Sequence, residues 1–448
     1  MKKLFGTDGI RAVAGQAPLD SATIYAIGLA LAHTLKAATP APRVLLGMDT
    51  RESSEWIAAT LTAGLTAGGA SVENAGVITT PAVAHLTHVH GFGAGIVISA
   101  SHNPWEDNGI KLFGPDGFKL PDSTELQIET EIFAQLAANT APPAELHAPS
   151  VNEGDRTEYI RFLLASVPGL SLDNHRIVID CANGAASAVA PQLFADLGGQ
   201  VIVTHASPTG RNINLGCGAL HPEVVAAEVA AHQASIGITF DGDADRVLFA
   251  DETGKVVNGD AVLLLAGRDL HARGLLANAT VVATTMSNMG LEAALGRSGI
   301  AMLRAPVGDK YVLEQMLATG ATLGGEQSGH IIFSGRSTTG DGLLTALLVL
   351  DIIHRSGKSL AELTADLKTF PQCIVNVKVR EKKPLDTIPA VVAAIAAADE
   401  ALAGTGRVVI RYSGTEALAR VMIEAEDHGQ MTHHAEAIAG AIRAELGI

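Results

Sequence analysis

Apolar runs of strand length and longer Ala- and Leu-rich stretches of helical length follow one another along most of the chain, the pattern of alternating strands and helices. A helical stretch from Thr23 to Ala37 leads into the strand-like RVLLGMD, a helix from Trp56 to Ala67, and the strand-like GIVISA that ends at Ser101. The stretch from Leu126 to Glu153, which contains APPAELHAPS, is rich in Pro and Ala and is expected to be a linker. A second block opens with RIVIDCANG and passes through a helix at Ser187 to Leu197, the strand QVIVTHA, the helix VVAAEVAAHQ and the strand SIGITF. The third follows DETGKVVNGD, with helix AVLLLAGRDL, strand TVVATT, helix LEAALGRSG, strand AMLRAPV and helix YVLEQMLATG.

The tail changes rhythm. CIVNVKVRE, a helix from Pro389 to Leu402, the pair RVVIRYS and ARVMIEAE, and a closing helix to Leu446 predict antiparallel strands in a small α+β domain suited to act as a lid. The pattern therefore predicts an α/β protein of four domains: three similar mixed α/β domains over 1–152, 153–253 and 254–368, then the smaller α+β domain over 369–448. A length of 448 residues agrees with several cores.

Charge and composition narrow the partners. The net charge of -16 disfavours nucleic acid or an anionic membrane, so an anionic substrate needs a local basic cluster. Three dispersed cysteines, Cys181, Cys217 and Cys373, suggest neither a disulfide framework nor a zinc knuckle, and fit a reducing cytoplasm. The opening MKKLFGTDGIR turns polar before a signal-peptide core forms, and no apolar run reaches membrane-spanning length.

Four stretches carry chemistry. In SASHNPWEDNGIK, Ser101 stands at a strand end as a nucleophile, a phosphate carrier or a turn residue. In DGDADR, Asp241, Asp243 and Asp245 repel one another unless a cation neutralises them, and oxygen donors suit Mg²⁺ or Ca²⁺. An EF-hand is excluded, because Arg246 occupies the position where the calcium loop turns on glycine. The competing reading is an Asx-rich turn, which seldom needs three carboxylates. RYSGTEALAR offers Arg411, Ser413, Gly414, Thr415 and Arg420 as a phosphate cradle or, less pointedly, a hairpin turn. GGEQSGH places Glu326, Ser328 and His330 on a loop suited to sugar hydroxyls, and FGTDGIR and APVGDK add Arg11, Gly308, Asp309 and Lys310. A hydroxyl, a metal site, an arginine cradle and a polyol loop together fit phosphoryl transfer on a sugar phosphate.

These stretches, in this order along the whole chain, resemble the α-D-phosphohexomutase superfamily, and GEQSGH, with Gln327 where the phosphomannomutase/phosphoglucomutase branch carries Met, resembles its amino-sugar branch. The resemblance implies interconversion of glucosamine 6-phosphate and glucosamine 1-phosphate through a 1,6-bisphosphate, on the route to UDP-N-acetylglucosamine, with a neutral-hexose mutase or a sugar phosphatase as alternatives. It implies a phosphoserine at Ser101, with His102 and Asn103 seating its phosphate, and one Mg²⁺ on Asp241, Asp243, Asp245 and a phosphoserine oxygen. Arg11 and Arg246 would stabilise transferring charge, and Lys111 and His330 would serve as base and acid. Glu326 and Ser328, beside Gly308, Asp309 and Lys310, would grip the sugar, and the RYSGTEALAR residues would hold the idle phosphate. A hexosamine phosphate is then the partner, and a homodimer the assembly. Ala12, Ala219, Leu220 and Ala417 depart from the usual pattern without removing any of these groups.

Overall fold

The computed structural model describes residues 3–173, 175–412 and 417–448. The first sheet is built from β1 (Ile10–Val13), β2 (Arg43–Met48), β3 (Ser71–Val77), β4 (Ala94–Ile98) and β5 (Asp107–Phe113), in the order β1-β5-β4-β2-β3. Strands β2, β3 and β4 run parallel, and β5 returns antiparallel against both β4 and β1. Every residue of β4 is buried, as expected of a strand covered on both faces by helices. The helices are α1 (Ser21–Lys36), α2 (Ser54–Ala67), α3 (Thr80–Val89) and α4 (Asp122–Ala137).

Helix α4 corrects the linker expected from Leu126. Ile128 and Ile132, one turn apart, enter the same core as Ile24, Ile27 and Ile96, and only the stretch beyond α4 is irregular. Buried Glu129, on the same face, accepts the backbone N–H groups of Lys3 and Leu4 at 2.7–2.9 Å and of Phe5 at 3.3 Å, which fixes the segment leading to Arg11.

After α5 (Glu153–Ala165), the second sheet comprises β6 (Arg176–Asp180), β7 (Gln200–Thr204), β8 (Ile236–Phe240), β9 (Val247–Ala250) and β10 (Val256–Val257), ordered β10-β9-β8-β6-β7, with helices α6 (Ala190–Asp196) and α7 (Pro222–His232). The third follows α8 (Gly259–Ala272) and holds β11 (Thr280–Thr284), β12 (Ala301–Ala305), β13 (Leu323–Gly325) and β14 (Ile331–Phe333), ordered β12-β11-β13-β14. The helices along this stretch of chain are α9 (Met289–Arg297), α10 (Asp309–Thr319), α11 (Gly342–Ser356) and α12 (Leu360–Thr364). One device recurs in all three sheets. A parallel strand turns back into an antiparallel neighbour, and the connection carries the chemistry: SASHNP between β4 and β5, DGDADR between β8 and β9, and EQSGH between β13 and β14.

The last strands, β15 (Gln372–Lys378), β16 (Gly406–Tyr412) and β17 (Leu418–Ala425), form an antiparallel sheet ordered β15-β17-β16, accompanied by α13 (Pro389–Ala401) and α14 (His428–Leu446). Val377, Val421, Ile423, Ile438 and Ile442 form its own core. The chain divides into two compact units, Met1–Met286 with Met302–Thr364, and Ser287–Ala301 with Ala365–Ile448. The expected class, three mixed α/β domains and a smaller α+β domain, is the class found.

Candidate active site

Ser101 leaves β4 with a φ of 53°, a left-handed conformation that side chains other than Gly, Asn and Asp rarely adopt. Its carbonyl is gripped from two sides, by Arg51 Nη2 at 3.2 Å and Asn214 Nδ2 at 2.9 Å, and both donors also reach the carbonyl of Asn103. Arg51 is fully buried and paired with Asp49. Gly242 packs so closely that a Cβ there would lie 2.4 Å from the Ser101 oxygen, so the DGDADR loop needs its glycine. The Ser101 hydroxyl donates to Asp241 Oδ2 at 2.6 Å. Asn103 turns its amide onto Asp107 at 2.9 Å, so in this conformation it braces the loop.

Asp241, Asp243 and Asp245 are buried and present oxygens that all lie within 4.8 Å of one another. Burial and the other two carboxylates push Asp241 up to about 8. Asp243 Oδ1 and Asp245 Oδ1 are buried without a hydrogen-bond donor. Repelling carboxylates with spare buried lone pairs and only oxygen donors fit a hard divalent cation such as Mg²⁺. The protein's own cation here is Lys111 on β5, 2.7 Å from Asp243, 3.0 Å from Asp8 and 3.3 Å from Asp245. Burial alone would lower its pKa, but these three carboxylates outweigh burial and hold the ammonium well above the ordinary lysine range. The same balance keeps Asp245 ionised: burial opposes charge, and Lys111, His330 and Arg246 override it.

Arg246 donates from Nη1 to His102 Nδ1 at 3.1 Å, and its backbone N–H donates to Asp241 at 3.1 Å. Burial, Arg246 and Arg11 bring His102 down to about 4, so near neutral pH its imidazole is uncharged and accepts. Arg11 pairs with Asp8, which also meets Lys119, and Lys119 reaches on to Asp309. The strand carrying Arg11 can lie this close to β5 because position 9 is glycine, where a Cβ would sit 2.3 Å from the Ile110 carbonyl.

The opposite wall comes from the third sheet. Glu326 accepts from the Gly308 N–H at 3.0 Å and from Ser328 Oγ at 3.3 Å. His330 is buried, its Nδ1 3.7 Å from Asp245 and its Nε2 3.7 Å from Asp309, while Nε2 accepts the Gly340 N–H at 3.0 Å. Burial disfavours its charged form, but Asp245 and Asp309 outweigh that and raise its pKa. Lys310 turns instead to Asp122 on α4. Between these walls lies a cavity of about 390 Å³ lined by Thr7, Asp8, Arg11, His102, Asp245, Arg246, Gly308, Asp309, Glu326 and His330.

In the C-terminal unit, Arg411 and Arg420 face each other across β16 and β17. Ser413, Gly414 and Thr415, named with them from the sequence, lie outside the described residues. The groups that sequence reasoning passed over are Arg51, Lys119, Thr80 and Asn214. Thr80 donates its hydroxyl to Asp243 from the first turn of α3, a contact spanning 163 positions of chain that no local motif announces.

The chain matches four family models in sequence order: phosphoglucomutase/phosphomannomutase α/β/α domain I over residues 2–139, domain II over 157–254, domain III over 258–370 and the C-terminal domain over 374–441. It is 59% identical over 454 residues to a phosphoglucosamine mutase of Koribacter versatilis, covering 100% of this chain and 98% of that one. It is 54% identical over 447 residues to that of Solibacter usitatus, covering 100% and 99%. Among solved structures, a phosphoglucomutase/phosphomannomutase family protein from Burkholderia thailandensis superposes with a TM-score of 0.79 at 23% identity over 100% of both chains. Aspergillus fumigatus N-acetylphosphoglucosamine mutase, solved with GlcNAc-6P and magnesium, gives 0.65 at 20% identity over 99% of this chain and 96% of that one. These two likenesses concern the fold, whereas the full-length sequence identities reach further: the chain belongs to the phosphoglucosamine mutase family of the α-D-phosphohexomutase superfamily.

Proposed function

We propose that the chain interconverts glucosamine 6-phosphate and glucosamine 1-phosphate with Ser101 as the phosphoryl carrier. The observation that carries this reading is the buried Ser101 hydroxyl, held in a strained loop and hydrogen-bonded to the carboxylate cluster beside the polar cavity. In the first transfer the C1 hydroxyl of the 6-phosphate sugar attacks the phosphorus on Ser101, the bond to the Ser101 oxygen breaks, that oxygen ends with the proton the hydroxyl gives up, and the 1,6-bisphosphate forms. The sugar then turns, and Ser101 recovers the 6-phosphoryl group, leaving the 1-phosphate.

The residues divide the work. Arg11 and Arg246 stand on the cavity wall where charge passes. Lys111 enters as a locked ammonium, which supports a role in donating to oxygens rather than abstracting a proton. His330 turns Nδ1 toward Asp245 and meets the Gly340 N–H at Nε2, and its raised pKa supports the acid role. Glu326 and Ser328 offer the acceptor and hydroxyl that a sugar edge needs, with Gly308 and Asp309 on the same wall. Asp241, Asp243 and Asp245 would hold Mg²⁺ together with a Ser101 phosphoryl oxygen, and the bound ion would neutralise charge at the transferring group. For the C-terminal unit we assign Arg411, Arg420, Ser413, Gly414 and Thr415 to phosphate binding.

We place domain limits at 152, 253 and 368 and the enzyme in the cytoplasm as a homodimer. No helix among the described residues is long and apolar enough to cross a membrane. The test is kcat/KM for glucosamine 6-phosphate against glucose 6-phosphate and mannose 6-phosphate. A preference of about tenfold or more, worth ~1.4 kcal/mol, supports the amino-sugar assignment. Equal or better rates on the neutral hexoses move the chain to the phosphomannomutase/phosphoglucomutase activity, and phosphate release in step with substrate loss makes it a phosphatase.

A further inference from the structure

Strands β6 and β7 end side by side, with Asp180 opposite Thr204 in register. The residues that follow leave regular backbone: Ala182, Asn183 and His205 all have φ near 50°. The turn this makes brings His205 over the end of β6, and a later loop returns Cys217 to the same place. Asp180, His205 and Cys217 then present ligand atoms that lie within 4.8 Å of one another. Asp180 and Cys217 are fully buried.

The partners of these three side chains leave their coordinating positions open. Asp180 accepts the N–H groups of Ala182 and Gly218, both at 2.9 Å, one on each oxygen, so the carboxylate is oriented and still has lone pairs to give. His205 Nδ1 is buried and has no hydrogen-bond partner, although it lies 3.2 Å from Asp180 Oδ1. Cys217 Sγ accepts from the Asn183 amide at a long 3.9 Å. The donor set is one oxygen, one nitrogen and one sulfur, unlike the oxygen-only cluster at Asp241.

We infer that Asp180, His205 and Cys217 form a second cation site, selective for a borderline-soft divalent ion of the Zn²⁺ class. Thiolate and imidazole exclude Mg²⁺ as the preferred occupant, and a carboxylate plus a thiolate balance a double positive charge. A tetrahedral ion with bonds of about 2.0–2.3 Å sets its ligand atoms roughly 3.3–3.8 Å apart, so the 3.2 Å between His205 Nδ1 and Asp180 Oδ1 is already close to what such an ion needs. Binding replaces the thiol proton, which passes to solvent, and leaves the fourth position to water.

The site has a structural consequence for catalysis. The segment it closes, from His205 to Gly218, contains Asn214, whose N–H donates to the Ala182 carbonyl at 2.9 Å and whose amide grips the Ser101 carbonyl. An ion joining His205 and Cys217 to β6 ties down both ends of that segment. It is a positioning device, since none of its ligands lines the catalytic cavity.

The test uses the full chain saturated with Mg²⁺, so that the Asp241 cluster is filled, and titrates in Co²⁺ as a spectroscopic stand-in for Zn²⁺. The expected result is one equivalent bound with a thiolate-to-cobalt charge-transfer band and intense tetrahedral visible bands, discharged by Zn²⁺ and lost in Cys217→Ser. His205→Ala, a substitution at a partly exposed side chain, serves where Cys217→Ser fails to fold, and is expected to weaken Co²⁺ binding at least tenfold. No thiolate band in the wild-type chain, a band that persists in Cys217→Ser, or unchanged Co²⁺ affinity in His205→Ala overturns the proposal.

Discussion

Ser101 shows how much of one residue's behaviour is set by groups far from it in sequence. Its left-handed backbone is held by Arg51 and Asn214, which converge on one carbonyl from the loops that follow β2 and β7. Removing Arg51 would strand buried Asp49, an uncompensated charge that costs ~3–5 kcal/mol and confuses folding with function. Asn214→Ala is the cleaner probe. Losing one buried hydrogen bond of ~1–3 kcal/mol to the loop should lower kcat by about tenfold or more with KM nearly unchanged, and steady-state kinetics decide it. A rise in KM at constant kcat would assign Asn214 to substrate instead. The residues that gather at this site, Ser101 and the three alternating carboxylates among them, were named from motifs. Arg51, Lys119 and Asn214 were not, since an arginine that braces a carbonyl reads like any other arginine until the fold brings the two together.

Among the elements, strand and helix alternation was readable from hydrophobic period, and so was the change to antiparallel pairing in the tail. The linker expected at Leu126 was wrong because its Pro-rich second half coloured the whole stretch. The stripe of Ile128 and Ile132, with Glu129 between, belongs to a packed helix. Glu129→Ala removes the acceptor for three backbone N–H groups and should loosen the segment bearing Asp8 and Arg11. We expect a lowered melting temperature and earlier proteolytic cleavage near the N-terminus, both readable by limited digestion and mass spectrometry; unchanged cleavage would refute the tether. Helix α3 offers a pH prediction. His85 stacks on Phe162 of α5 with ring centroids 3.8 Å apart, and burial brings its pKa down to about 4. The unfolded chain takes up that proton near pH 6.5 and the folded chain only near 4, so stability present above pH 6.5 is lost as pH falls between the two. His85→Phe keeps the stack and should flatten the decline in melting temperature over this window relative to wild type. Equal slopes would show that His85 titrates freely.

For the molecule as a whole, two compact units with separate cores predict that heat unfolding is not a single two-state event. Calorimetry should give two transitions, or a calorimetric enthalpy exceeding the van't Hoff value, and equality of the two would contradict separate units. The net charge of -16 has its own meaning at this scale. An acidic chain that handles a phosphorylated sugar must concentrate its cations: Arg11 and Arg246 line one cavity, and Lys111 and Lys119 pair with Asp8 on its wall. Ser101 is the proposed carrier of the phosphoryl group. The most direct measurement is incubation of the chain with Mg²⁺ and glucosamine 1,6-bisphosphate, followed by intact-mass and peptide mass spectrometry. We expect one added phosphoryl group, confined to the peptide containing Ser101, removed by added glucosamine 6-phosphate, and absent along with turnover in Ser101→Ala. A phosphoryl group on another residue, or mutase activity surviving in Ser101→Ala, would contradict it.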